Sequence, residues 1–253
     1  MKIVSLNLNG IRSAINKGLF DWLGKESPDL FCVQELKAQP DQIDTDALHG
    51  LGYENRIIHS ALKKGYSGVA IFSKLKPDYY AIGMGRPDFD NEGRVIRADF
   101  GDITVVCVYI PSGSSGDERQ AIKMKFLDVF TEYLLELRKE RPNLLICGDY
   151  NICHKPIDIN HPERHANVSG FLPEERDWFD RLIDLGFVDS FREFNQEPNQ
   201  YSWWSFRAGS RQRNIGWRID YHIVTESLKN RLKQADIRQE AAFSDHAPVF
   251  VEL

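Results

Sequence analysis

The chain reads as an α/β protein, a layered sandwich of mixed β-sheets. Three observations predict this. Short apolar strand-like runs and helical patterns are interleaved along all 253 residues. Hairpin signals are frequent, the strongest where Val95–Phe100 and residues 103–110 flank Gly101-Asp102. Helices do not follow every strand, as a purely parallel, doubly wound sheet would require.

The elements follow in order. Residues 2–8 are strand-like, residues 18–25 helical, and Leu30–Gln34 (LFCVQ) is a short apolar strand. Residues 69–72 form another strand, and the 95–110 hairpin comes next. Asp117–Glu140 is a long helix, because Ile122, Phe126, Val129, Phe130, Tyr133 and Leu137 recur at helical spacing. Residues 144–147 form a buried strand that runs into Gly148-Asp149. Residues 173–185 form a helix, since Pro173 suits a first turn and Glu174 and Glu175 suit its positive end. Residues 201–204, 218–224 and 249–253 are expected as late strands.

No low-complexity linker or short-period repeat divides the chain, so residues 1–253 are expected to form a single catalytic domain. Met1-Lys2 leads straight into strand-like sequence, so no signal peptide is expected. No run approaches the roughly 20 apolar residues of a membrane span. Cys32, Cys107 and Cys147 sit in apolar runs, and no two of the four cysteines form a C-x-x-C pair. A reducing, cytoplasmic setting follows as the expectation.

The net charge of −5 argues against a protein that coats nucleic acid nonspecifically. Two acid-free basic runs stand against that background. One holds Lys63, Lys64, Lys74 and Lys76; the other holds Arg207, Arg211, Arg213 and Arg218. Each alone reads as a solvated face, but together they suggest a surface for phosphates.

The chemistry gathers where strands end. Asn7 and Asn9 close the first strand, Glu35 and Lys37 follow the second, and Asp149 and Asn151 follow Gly148. Asp245-His246 precedes the last strand, and Asp220 lies in a strand-like run. Carboxylates and amides suit a hard cation such as Mg²⁺ or Mn²⁺, whereas zinc wants His and Cys at closer spacing. Glu35, helped by Asn7 and Asp245, is enough for Mg²⁺, because phosphate and water complete its octahedron. His246 suits either binding of phosphoryl charge or activation of water, with Asp220 as the carboxylate that holds its tautomer. Asp149 and Asn151, two apart, can position a water or a phosphate oxygen from one face. Each piece alone has a plain structural reading; the whole set is harder to explain that way.

The segments SLNLNGIRSA, FCVQELKA, GYSGVAIFSK, NEGRVIRADF, VYIPSGS, ICGDYNICH, SGFLPEER, YSWWS, NIGWRIDY and FSDHAPV run nearly end to end. In order and spacing they resemble the exonuclease III family of abasic-site endonucleases, within the endonuclease/exonuclease/phosphatase superfamily. The resemblance implies a four-layered α/β sandwich, two packed mixed sheets flanked by helices, with the site at one edge. It implies Glu35 as principal metal ligand, with Asn7 and Asp245 near the ion. It places His246 on the scissile phosphate, oriented by Asp220, and Tyr109 on the same phosphate. Asp149, with Asn151 beside it, either prepares the attacking water or protonates the leaving group. Asn9 and Lys37 match positions at the edge of the site.

The resemblance also implies that Trp203, Trp217 and Ile219 form an apolar pocket for an extruded sugar. A site without a base leaves the helix at less cost than a paired nucleotide, and a tight pocket admits bare deoxyribose while excluding a base. Arg213 and the basic runs would hold flanking phosphates, so recognition is by shape and deformability. The substrate implied is double-stranded DNA with abasic sites or blocked 3′ ends, acted on by a monomer with no membrane partner. Mg²⁺ is the implied cofactor, with Mn²⁺ able to take its place. Departures from the family pattern are few. Tyr150, expected to face away from the site, stands between Asp149 and Asn151, Ser112 follows Tyr109-Ile110-Pro111, and His161 and His165 lie in the loop before SGFLPEER. Two rivals stand: another phosphoesterase of the superfamily, and a non-catalytic nucleic-acid-binding or regulatory protein on the same scaffold.

Overall fold

The computed structural model describes residues 1–253. Its strands are β1 (Lys2–Asn7), β2 (Leu30–Gln34), β3 (Asn55–His59), β4 (Val69–Ser73), β5 (Tyr79–Ile82) and β6 (Val95–Phe100), followed by β7 (Ile103–Tyr109), β8 (Leu144–Asp149), β9 (Phe187–Asp189), β10 (Asp220–Thr225), β11 (Gln234–Ile237) and β12 (Val249–Glu252). They form two six-stranded mixed sheets, ordered β11-β12-β1-β2-β4-β3 and β5-β6-β7-β8-β10-β9. In each sheet one parallel pair, β1–β2 or β7–β8, is flanked by antiparallel neighbours. β1 is paired on one side by β2 and on the other by β12, which comes from the far end of the chain.

Alternation of side chains along each strand divides the core into layers. Ile3, Leu30, Cys32, Ile71, Val105, Leu145 and Val224 face inward and fill the space between the sheets. The outer face of the second sheet packs Val106, Ile146 and Ile223 against Phe126, Phe130 and Leu134 of the helix Asp117–Glu140, and against Trp178 and Phe179 of the helix Pro173–Asp184. The outer face of the first sheet is covered by Ile11, Leu19, Leu23 and Leu48 from short helices. Four layers result, in the order helix, sheet, sheet, helix. No helix is long and apolar enough to cross a membrane.

One expected strand does not form. Residues 201–204 make only isolated bridges, Trp203 to Trp217 and Trp203 to His246. The backbone bonds of this segment are split between two partners, Trp203 pairing with Trp217 while Trp204 donates to Asp245 and Ser202 accepts from Ala247, so no continuous ladder forms.

Candidate active site

The two sheets bring their chemistry to one rim. β1 ends there at Asn7, β2 runs into Glu35, β7 ends at Tyr109, β8 ends at Asp149, and β10 begins at Asp220. Asp245 and His246 lie just ahead of β12, whose first residue pairs with Ser5. Hydrogen bonds then cross from sheet to sheet. Asn7 Nδ2 donates to Asp149 Oδ2 at 2.8 Å and to Glu35 Oε1 at 2.9 Å. The Tyr109 hydroxyl donates to the same Glu35 oxygen at 2.9 Å. Lys37 pairs with Glu35 Oε2 at 2.7 Å and reaches Asn9 Oδ1, and Asn9 Nδ2 donates to Asp245 Oδ1 at 3.0 Å.

Behind the rim, His246 Nδ1 lies 2.9 Å from Asp220 Oδ2, and its Nε2 is 3.9 Å from Asp149 Oδ2. Ser202 Oγ donates to Asp220 at 2.7 Å and accepts from the N–H groups of Ile219 and Asp220. Burial works against a charged His246, but the Asp220 carboxylate outweighs it and pushes the imidazole up to about 10. Burial, and next the charge of Asp220, push Asp149 up to about 7. Glu35 goes the other way. Burial would raise it, yet hydrogen bonds from Lys37 and Asn7 hold it below the usual carboxylate range. Burial, followed by the Glu35 charge, raises Tyr109, so its phenol keeps the proton it donates. Carboxylates with opposed shifts a few ångströms apart are what general acid–base chemistry requires.

The backbone is bent to make this possible. Asn9, Glu35, Lys37 and Asn151 all adopt left-handed φ between 46° and 52°. Such conformations in non-glycine residues cost on the order of 1 kcal/mol or more each and collect at functional sites. The turn at Asn151 is held by its own N–H on Asp149 Oδ1 at 2.8 Å and its side-chain amide on the Ile110 carbonyl at 2.9 Å. Gly148 just before it has φ 149°, and a Cβ there would lie 1.8 Å from the Val108 carbonyl oxygen. Only glycine lets β8 approach β7 so closely.

The rim opens into a cavity of about 340 Å³. Glu35, Tyr109, Asp149, Asn151, Asp245 and His246 form its polar side. Trp203, Trp217, Ile219 and Val168 form its apolar side, with Ser112, Ser114, Ser169 and Gly170 at the edge. Trp203 also donates its indole N–H to Asp245 Oδ2 at 3.0 Å. The His165 ring packs edge-on against Trp217 at 5.0 Å, while His161 is exposed. Tyr150 points the other way, buried among Trp178, Phe179 and Tyr221.

Thus Asn7, Asn9, Glu35, Lys37, Tyr109, Asp149, Asn151, Trp203, Trp217, Ile219, Asp220, Asp245 and His246 meet in one place. Arg213 is exposed and does not line the cavity. The Asn7 amide nitrogen faces the carboxylates, and its oxygen accepts from the Asn9 N–H at 2.9 Å with a second lone pair to spare.

The basic runs also divide. Lys63 and Lys64 lie before the rim end of β4, but Lys74 and Lys76 follow its other end, roughly 17 Å of strand away. Arg218 is buried between Asp158 and Asp189, and Arg211 donates to the carbonyls of Gln239, Ala241 and Ser244. Those two arginines hold the fold together, leaving Arg207 and Arg213 exposed.

Sequence reasoning assigned no role to Ser202, Ser169 or Gly170, although all three fall inside quoted motifs. It also passed over Arg94, whose guanidinium lies 4.8 Å from the Tyr109 ring centre and donates to the Tyr109 carbonyl at 2.9 Å.

The donor set fits a hard divalent cation. Every charged donor facing the cavity, His246 aside, is a carboxylate, and no thiol is present there. Ligand atoms of Asp149, Asp220 and His246 also lie within 4.8 Å of one another. In that trio the imidazole ring itself lies between the acids, its Nδ1 bonded to Asp220 at 2.9 Å and its Nε2 3.9 Å from Asp149. A larger cavity of about 450 Å³ is lined in part by Arg218, but its two buried acids, Asp158 and Asp189, are paired with Arg218 and Arg192.

Fold and pocket together define a class: phosphoester hydrolases built on a four-layered sandwich. A family model described as the Endonuclease/Exonuclease/phosphatase family matches residues 4–246, so the chain belongs to that family and is a metal-dependent nuclease within it. It is 43% identical over 251 residues to an exodeoxyribonuclease of Bacillus subtilis, covering 98% of both chains. It is 38% identical to the DNA repair nuclease APEX1 of Danio rerio, covering 100% of this chain and 82% of that one. Among solved structures, the 3′ phosphatase NExo from Neisseria bound to product DNA hairpin superposes with a TM-score of 0.93, at 30% identity over 100% of this chain and 99% of that one. An AP endonuclease from Archaeoglobus fulgidus gives 0.90 at 29% identity, again over 100% and 99%.

Proposed function

We propose that this chain is a DNA-repair AP endonuclease. It hydrolyses the phosphodiester on the 5′ side of an abasic site in double-stranded DNA and leaves a 3′-hydroxyl. It also trims blocked 3′ ends as a 3′-phosphodiesterase and 3′→5′ exonuclease. One observation carries this reading: the polar rim and the wall of Trp203, Trp217 and Ile219 share a single cavity. A phosphate on the rim therefore has a sugar-sized apolar recess beside it. A lipid or inositol phosphatase has no use for that recess, and a binding module has no use for the acid–imidazole set.

The residues divide the work. His246, kept cationic by Asp220, binds a non-bridging oxygen of the scissile phosphate and stabilises its developing charge. Tyr109 donates its hydroxyl to the same group. Asp149, held by Asn7 and the Asn151 N–H, exchanges a proton with the attacking water or with the leaving oxygen. Glu35, with Asn7 and Asp245 close by, would hold Mg²⁺ or Mn²⁺, and the ion would supply Lewis-acid stabilisation of the phosphate. Asn7 serves this site by bridging carboxylates. Asn9 and Lys37 fix the positions of Asp245 and Glu35, and the exposed Arg213 contacts a flanking phosphate. All these residues come from one chain, which suits one catalytic domain acting as a monomer. Four free, buried cysteines suit a reducing cytoplasm.

The deciding assay uses duplex DNA with one abasic-site analogue. Incision 5′ to the analogue is expected with Mg²⁺ and none with EDTA. Cleavage that persists in EDTA would remove the metal from the mechanism, and no cleavage with Mg²⁺ would favour the binding module.

A further inference from the structure

The long helix Asp117–Glu140 buries one charge among its apolar residues. Lys123 is fully buried beside Phe126 and Leu127, and its partner Glu175 is fully buried too. Their separation is 2.5 Å. Stability alone does not account for such a pair, because apolar residues of similar volume in place of a buried ion pair are often neutral or stabilising. What the pair touches is informative. Lys123 Nζ donates to the Asn151 carbonyl at 2.8 Å. Glu175 Oε2 accepts from the N–H of Gly170 at 2.6 Å and of Leu172 at 3.0 Å. Gln120 and Ser169 donate to Glu175 Oε1 at 3.1 and 3.3 Å.

One ion pair therefore grips two adjoining loops that both line the cavity. The first loop carries Asn151, whose left-handed φ of 52° needs an outside hold. The second carries Ser169 and Gly170. Gly170 has φ 99°, and a Cβ there would lie 2.7 Å from the Trp217 ring, so this backbone is pressed against the pocket wall. The loops are also tied to each other, the Cys153 N–H donating to the Gly170 carbonyl at 2.7 Å. Neither Lys123 nor Glu175 lines the cavity.

We infer that Lys123 and Glu175 are positioning residues for the cleavage reaction: their buried pair sets the distance between the Asn151 turn and the Gly170–Trp217 wall. The inference deepens the proposed nuclease reading and rests on it. It also gives the SGFLPEER segment a task, because Ser169, Gly170 and Glu175 of that segment are all parts of the clamp.

The test compares wild type with the apolar double variant Lys123→Met/Glu175→Leu and with the single variant Lys123→Arg. Steady-state cleavage of an abasic duplex in Mg²⁺ and hydrogen exchange of the intact proteins are both measured. The double variant is expected to fold, with residues 151–153 and 168–172 exchanging faster while the long helix stays protected. Its kcat should fall at least tenfold with KM changed less than threefold, and Lys123→Arg should recover most of the loss. Unchanged loop exchange, or wild-type kcat in a folded double variant, would overturn the inference. A double variant that does not fold would also overturn it, by making the pair a structural requirement. If wild type itself fails to cleave, the nuclease reading falls, while the exchange data still decide whether the pair holds both loops.

Discussion

Asn7 donates to Asp149 across the gap between the two sheets, 2.8 Å from Nδ2 to Oδ2. The same nitrogen reaches Glu35, so one uncharged side chain holds two acids of opposite tendency in place. Asn7→Ala removes two charge-assisted bonds, each worth about 1.5–3 kcal/mol. A kcat loss of roughly 10- to 100-fold per bond is the expected outcome. Asn7→Asp should do worse, because a third carboxylate would repel the other two. Single-turnover cleavage at saturating Mg²⁺ is the measurement, and an Asn7→Ala enzyme with wild-type kcat would contradict the bridge.

Asp220 is expected to govern His246 through both charge and orientation. In Asp220→Asn the imidazole loses the neighbour that holds it cationic, so its titration should move down towards the ordinary histidine range. NMR titration of the His246 ring follows this directly. Cleavage should fall by roughly 10²- to 10³-fold, as expected when a group that stabilises developing charge is misaligned. A His246 that titrates as in wild type would refute the coupling.

The apolar wall makes a selectivity prediction. Trp217→Ala opens the recess and releases the edge-on packing of His165. Incision at abasic sites should fall, while release of nucleotides from undamaged 3′ ends should fall less. The ratio of the two rates is expected to drop at least tenfold, an energy of about 1.4 kcal/mol. Equal losses on both substrates would mean that the wall does not sort them.

Away from the site, His222 makes acid sensitivity measurable. It is fully buried in β10, its Nε2 has no partner, and burial pulls it down to about 3. Its folded value thus lies below its unfolded value near 6.5. The stability tied to that difference is complete above 6.5 and drains away as the pH falls towards 3, by at most about 4 kcal/mol. His222→Leu should flatten urea-unfolding free energy across that window and leave it no lower at pH 7. A variant with wild-type pH dependence would assign the acid sensitivity to other groups.

Much of this was legible in the sequence, for a definite physical reason. Strands between two packed layers must be apolar, so a polar residue at the end of an apolar run stands out. Asn7, Glu35, Asp149 and Asp220 all stand out that way. What stayed hidden depends on distant partners. A lysine at position 123 reads as helix surface until Glu175, far along the chain, neutralises it. Arg211 and Arg218 read as phosphate binders until Asp158, Asp189 and the carbonyls of residues 239–244 claim them. Lys74 and Lys76 read as neighbours of Lys63 and Lys64 until β4 carries them to the opposite edge. The left-handed bend at Glu35 has no local signature, because glutamate is not a residue that chooses it.

β1 sits between a neighbour made early and a neighbour made last. Asn7 and Glu35 can find each other as soon as β1 and β2 pair, but His246 joins them only when β12 docks on β1. A pairing so distant along the chain carries a large loop-closure cost. During synthesis the emerging polypeptide therefore carries acids without their imidazole. A copy that stops short of β12 has its acids in place and lacks the group that meets the phosphate.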